Sequence, residues 1–203
     1  MKLWYSPPSP FARKARIAAL ELGLAERVEQ IEVAVAPHKP NEEFGRRNPL
    51  MKVPALETDD GFVLFDSRVI CEYLDAQAGG DRLIPAAPGK RWTVLRRQAL
   101  GDGVTDAGIL RRYELAARPE ALRWADWLAG QQKKIDLGLD LAEREAAHWG
   151  KSLDIGQIAI ACALHWLDFR FPGDDWRRGR PALAAWLAEI GQRPSFAQTM
   201  PRA

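Results

Sequence analysis

The chain has 203 residues, 47% of them hydrophobic and 28% charged, enough to bury a real core as one large domain or two small ones. Its 29 Lys and Arg nearly balance 27 Asp and Glu, so a formal net charge of +2 gives no footprint for nucleic acid or an anionic membrane surface. No stretch is long and apolar enough to span a bilayer, and charges from Arg13 to Glu21 interrupt any secretion-signal core. With Cys71 and Cys162 far apart in apolar surroundings, a reducing, cytoplasmic setting is expected.

Residues 1–79 alternate short apolar runs with helical patterns, as in an α/β unit. Lys2 to Tyr5 reads as a strand. Pro10 to Leu22 reads as a helix capped by Ser9, with Pro10 at its first position and Gly23 just past its end. A strand is predicted over 28–35, then a loop over 36–49 with one helical turn near Glu42 to Gly45. Val53 to Glu57 and Phe62 to Phe65 flank Asp60-Gly61, a hairpin signal, and a helix over 67–78 closes the unit. The predicted order is βαβ, loop, ββ, α.

The Gly- and Pro-rich residues 80–89 read as a linker, and residues 90–203 read as all-helical. One helix is predicted over 90–117, with three glycines weakening it. Another opens at Pro119, with Trp124, Leu128, Ile135, Leu139 and Ala142 on one face. The segment 155–167 is apolar almost all round, which suits the centre of a core, and Asp154 with Gln157 has capping-box spacing. Two shorter helices, over 181–191 and 194–199, finish the chain. Seven of the eight tryptophans fall in this part, and helical spacing assigns most of them to the core.

Three places carry chemistry. Ser9-Pro10 sets a hydroxyl at a helix N-terminus beside unpaired N–H groups, which suits either a plain cap or an anion such as a thiolate. Lowering a thiol from about 8.5 by about two pH units takes roughly 2.7 kcal/mol. A helix terminus supplies about 0.3 to 1 kcal/mol and a hydrogen bond to a charged acceptor about 1.5 to 3, so the hydroxyl must carry most of it. Val53-Pro54-Ala55 places a proline in a strand-like run, either as a trans strand start or as a cis bend that frees the Val53 backbone for an extended ligand. Asp66-Ser67 opens a helix, again as a cap or as a pair matching the ammonium and carboxylate of an α-amino acid.

Ser9-Pro10-Phe11-Ala12-Arg13-Lys14, Asn48-Pro49-Leu50-Met51-Lys52-Val53-Pro54-Ala55-Leu56 and Asp66-Ser67-Arg68-Val69-Ile70, in this order, resemble the N-terminal domain of bacterial cytosolic glutathione S-transferases with a serine at the catalytic position. The resemblance continues through the linker, the helix after Asp154 and Arg193-Pro194-Ser195-Phe196. It implies a thioredoxin-like N-terminal domain followed by an all-α C-terminal bundle, with glutathione as co-substrate, no metal, and a homodimer. By that resemblance Ser9 holds the thiolate, Val53 and a cis Pro54 meet the cysteinyl part, and Asp66 and Ser67 hold the γ-glutamyl end. His38, Lys39 or Lys52 meets the glycine carboxylate, and Phe11, Arg111, Arg112 and Tyr113 line a second-substrate site between the domains.

Two positions depart from the family pattern: Asp66 stands for a commoner glutamate, and Asp154 and Gln157 stand where Thr or Ser and Asp are usual. The implied activity is attack of the thiolate on a small hydrophobic electrophile, by conjugation, isomerisation or peroxide reduction. A non-catalytic binding or regulatory protein of the same fold is the alternative. Thiol exchange through a protein cysteine is disfavoured, because position 9 is serine.

Overall fold

The computed structural model describes residues 1–150 and 152–203. Its first part is a four-stranded mixed sheet with helices. Strands β1 (Lys2–Tyr5), β2 (Glu29–Glu32), β3 (Ala55–Glu57) and β4 (Val63–Leu64) lie in the order β2-β1-β3-β4. The β1–β2 pair is parallel, joined through helix α1 (Pro10–Glu21), and the other two pairs are antiparallel. Helix α2 (Glu42–Gly45) is the single turn expected in the long loop, and α3 (Ser67–Gln77) follows β4. This is the predicted βαβ, loop, ββ, α order of a thioredoxin-like unit.

β2 is half the predicted length. Its residues are mostly exposed because it is the sheet's edge, and beyond Glu32 the chain bends into the 33–41 loop. Neighbouring residues of β1 serve different clusters: Leu3 enters the main core with Ile17, Leu56, Ile70 and Leu74, whereas Trp4 packs with Phe44, Val53 and Ala55.

The second part is helical: α4 (Pro88–Ala116), α5 (Ala125–Ala146), α6 (Ile155–Arg170), α7 (Pro181–Ile190) and α8 (Pro194–Ala197). Pro88 and Gly89, read from sequence as linker, form the first turn of α4, since Pro is preorganised for a first helical position. The helix expected from Pro119 begins only at Ala125, after one 3-10 turn over Glu120–Leu122. Trp124 therefore caps α5 from outside and is 62% exposed rather than sharing the face of Ile135, Leu139 and Ala142. Trp166, Trp176 and Trp186 are core, but Trp92, Trp124 and Trp127 are exposed. Among the described residues no helix is long and apolar enough to cross a membrane.

Helix α6 sits at the centre, and over residues 155–167 it is buried on almost every side, as its largely apolar sequence requires. Its capping box is complete: Gln157 N–H donates to Asp154 at 2.8 Å, and Asp154 N–H donates to the Gln157 side chain at 2.9 Å. Two of the α4 glycines that weaken it as a helix serve the packing. A Cβ on Gly101 would stand 2.6 Å from the Ala159 carbonyl carbon, and one on Gly108 would stand 2.8 Å from the Trp166 ring. α4 and α6 thus approach closely enough to form one seam.

The two parts are locked together near α1. Lys14 Nζ, almost fully buried, contacts both Asp102 oxygens on α4 at 2.6 and 2.9 Å, and Arg68 Nε on α3 reaches the same carboxylate at 2.8 Å. The buried Arg13 guanidinium donates to the Phe196 carbonyl at 3.2 Å. Trp166 Nε1 on α6 donates to the Pro8 carbonyl at 3.0 Å, which fixes the 6–10 turn against the helical part.

Candidate functional site

Ser9 stands where the 6–10 turn feeds α1. Its Oγ accepts the Ala12 N–H at 3.2 Å, and its own N–H donates to the Ser6 carbonyl at 2.9 Å. An oxygen that accepts from the helix keeps its proton for something else. Ser9 lines a cavity of about 550 Å³ between the two parts, together with Phe11, Val53, Tyr113 and Trp166. A second hydroxyl, that of Ser6 just past the end of β1, lines the same cavity.

The loop opposite is built by Asn48, which is buried. Its side-chain amide donates to the Lys52 carbonyl at 2.7 Å, while its Oδ1 accepts the Leu50 N–H at 3.0 Å. Met51 takes a φ of 50°, an uncommon conformation for a non-glycine residue, inside that clamp. The Val53–Pro54 bond that follows is cis, the form that chance alone disfavours. Among the described residues neither the N–H nor the carbonyl of Val53 has an internal hydrogen-bond partner, and the residue lies on the cavity wall.

Asp66 caps α3, its carboxylate accepting the Arg68 N–H at 2.9 Å, and Ser67 beside it is buried. Neither lines the cavity proper. They flank it through Asp106, which does line it and which feels both the Asp66 and the Arg68 charges. Burial, then the Asp102 charge, raises the Asp106 carboxyl above its ordinary range, with Arg68 and Lys52 pulling it back.

His38 and Lys52 line the cavity, whereas Lys39 is exposed outside it, in the turn closed by the Ala36–Lys39 bridge. The His38 ring meets the Tyr113 ring edge-on, centroids 6.3 Å apart. Of the residues expected on the helical side, Phe11, Arg112 and Tyr113 are in place and Arg111 is not. Successive residues on a helix point about 100° apart, so Arg111 turns to the far side of α4. There it pairs with Asp174 and lies over the Phe171 ring at 4.1 Å, in a separate cleft of about 380 Å³.

Sequence reading missed Leu50, Met51, Asp106, Ile109, Trp166 and Arg170, all on the cavity wall. One signal was available: Arg170 follows Trp166 by four residues on α6, and so shares its face. Cys71 and Cys162 are buried away from the cavity, and burial pushes their thiols up to about 12 and about 11.

Comparison with known proteins agrees with this architecture. Residues 8–77 match the family model for the glutathione S-transferase N-terminal domain, and residues 125–189 match that for the C-terminal domain. An uncharacterized GST-like protein of Escherichia coli (strain K12), YibF, is 35% identical over 99% of this chain and 98% of its own length. A glutathione transferase family member from Pseudomonas fluorescens Pf-5 with bound glutathione superposes with a TM-score of 0.96, at 44% identity over 100% of this chain and 99% of that one. The same family member with bound S-(propanoic acid)-glutathione gives 0.91 at 44% identity, over 100% of both chains.

Proposed function

The chain belongs to the glutathione S-transferase family, and on that premise we propose that it is a serine-type enzyme that ionises glutathione beside Ser9 and delivers the thiolate to an electrophile. One observation carries the reading: the Ser9 hydroxyl, already accepting from Ala12, faces a cavity at a helix N-terminus with its proton free to donate. A hydrogen bond to a charged sulfur is worth about 1.5 to 3 kcal/mol, the larger part of what a two-unit shift requires.

The rest of the ligand follows the wall. The free Val53 backbone pairs with the cysteinyl unit as a strand neighbour would, shaped by Pro54. Asp66 and Ser67 take the γ-glutamyl ammonium and carboxylate at the start of α3. Lys52, with His38 on the same cavity wall, takes the glycine carboxylate, being a cation on the wall where Lys39 is not. The bound glutathione of the Pseudomonas relative, and its bound conjugate carrying a propanoic acid group on sulfur, support a site for glutathione and its thioethers.

In conjugation the sulfur forms a bond to the electrophilic carbon while the leaving group departs with its electron pair. Residues 1–79 hold glutathione and the helical part from Pro88 onward supplies the wall for the second substrate, with 80–87 joining them. Two copies pair through exposed apolar side chains: Phe62 just before β4, Val69 on α3 and Trp92 on α4. Two buried unpaired thiols support a cytoplasmic setting.

Ser9→Ala tests the assignment. With 1-chloro-2,4-dinitrobenzene as electrophile, kcat is expected to fall about 10- to 100-fold, the loss of one charge-assisted hydrogen bond, while KM for glutathione changes by less than about threefold. An unchanged kcat in a folded variant overturns it.

A further inference from the structure

Four of the five arginines of α4 are paired with carboxylates among the described residues: Arg91 with Glu72, Arg96 and Arg97 with Glu145, and Arg111 with Asp174. Arg112 is the exception, and it is the one that lines the cavity. Across from it, in the last turn of α6, Arg170 lines the same wall, and among the described residues it too has neither an ion pair nor a hydrogen bond. Its guanidinium lies over the neighbouring Phe169 ring at 4.3 Å, a contact that leaves its N–H donors unused.

The two charges feel each other. Burial disfavours the Arg170 charge first, and the Arg112 charge disfavours it further. Asp106, the one carboxylate on the cavity wall among the described residues, sits six positions before Arg112 on α4, about 9 Å along the axis, and faces Lys52 and Arg68 instead. Phe11, Ile109 and Trp166 supply an apolar surface beside the arginines. The wall therefore offers an apolar platform ending in two uncompensated guanidiniums.

We propose that Arg112 and Arg170 determine specificity by holding a carboxylate of the second substrate, whose apolar body lies on Phe11, Ile109 and Trp166. The proposal deepens the reading above and rests on glutathione occupying the Ser9 side of the cavity. It narrows the substrate class to small aryl or alkyl electrophiles that bear a carboxylate. Guanidinium is suited to this because its fork meets both carboxylate oxygens and stays charged at any working pH.

The test compares two thioethers that differ only in charge, S-(4-carboxybenzyl)glutathione and its neutral carboxamide, S-(4-carbamoylbenzyl)glutathione, by calorimetry on the intact protein. The acid is expected to bind about tenfold tighter than the amide, the scale of one charge-assisted pair in a half-exposed site. That ratio is expected to fall to about one in the Arg112→Gln, Arg170→Gln double variant, and to an intermediate value in each single variant. No preference in the wild type overturns the proposal. So does a preference that survives in the double variant, including the case where both ligands weaken equally because the guanidiniums hold glutathione's own carboxylate. Failure of the catalytic reading looks different: the acid is preferred, yet no electrophile turns over.

Discussion

The proposed function gives a single oxygen at position 9 two roles that sequence alone leaves as alternatives. Ser9 caps α1 by accepting a hydrogen bond, which leaves the proton of a cavity-lining hydroxyl available to donate, so capping and thiolate binding are compatible. The caps at Ser9, Asp66 and Asp154 were legible because a cap is decided within three residues of chain. Arg111 and Arg112 show where legibility stops, since a shift of one position decides which side of α4 a side chain meets. His165 makes a separate prediction. Burial, then the Arg13 charge, lowers its imidazolium from 6.5 to about 4, and its Nδ1 is buried without a hydrogen-bond partner among the described residues. The unfolded chain therefore binds more protons than the folded one between pH 6.5 and about 4. Stability should be unaffected by this group above pH 6.5 and should fall by roughly 2 to 3 kcal/mol as pH drops through that window. Urea unfolding of wild type and His165→Gln across that range should show the variant losing less. Parallel losses would assign acid sensitivity elsewhere.

The α4–α6 pair shows how an element can look poor in sequence and be right in place. Three interior glycines, Gly101, Gly103 and Gly108, lower the intrinsic helix propensity of α4, yet Gly101 and Gly108 are the contact points with α6. Gly103 faces open space. Gly101→Ala is expected to destabilise by about 1 to 3 kcal/mol, because its methyl meets α6 backbone that cannot yield. Gly103→Ala is expected to stabilise by about 0.5 to 1 kcal/mol through helix propensity alone. Thermal unfolding that moves in the same direction for both would contradict this account of the seam. Periodicity located α4 and α6 well because both are long. It failed at Trp124, where an irregular connector with its own 3-10 turn delays α5 by several residues and leaves the ring outside the core. It also overran β2, since residue pattern cannot say that a strand lies at an edge and ends early.

Across the molecule, the site exists only because two differently built parts meet along α1. The Lys14–Asp102–Arg68 cluster and the Trp166–Pro8 hydrogen bond set the helical wall against the turn that presents Ser9. Such contacts link residues 34 to 158 positions apart, which is why the roles of Asp102 and Trp166 were invisible to local pattern while the two-part order of elements was not. The central claim concerns the sulfur of a bound glutathione rather than any residue of the chain. Its direct measure is the ultraviolet absorbance of the thiolate in the protein-bound ligand, followed against pH. The account predicts a bound-thiol pKa about two units below the ordinary value near 8.5, and a return toward that value in Ser9→Ala. A bound thiol that titrates where a free one does, or that ignores the loss of the Ser9 hydroxyl, would contradict it.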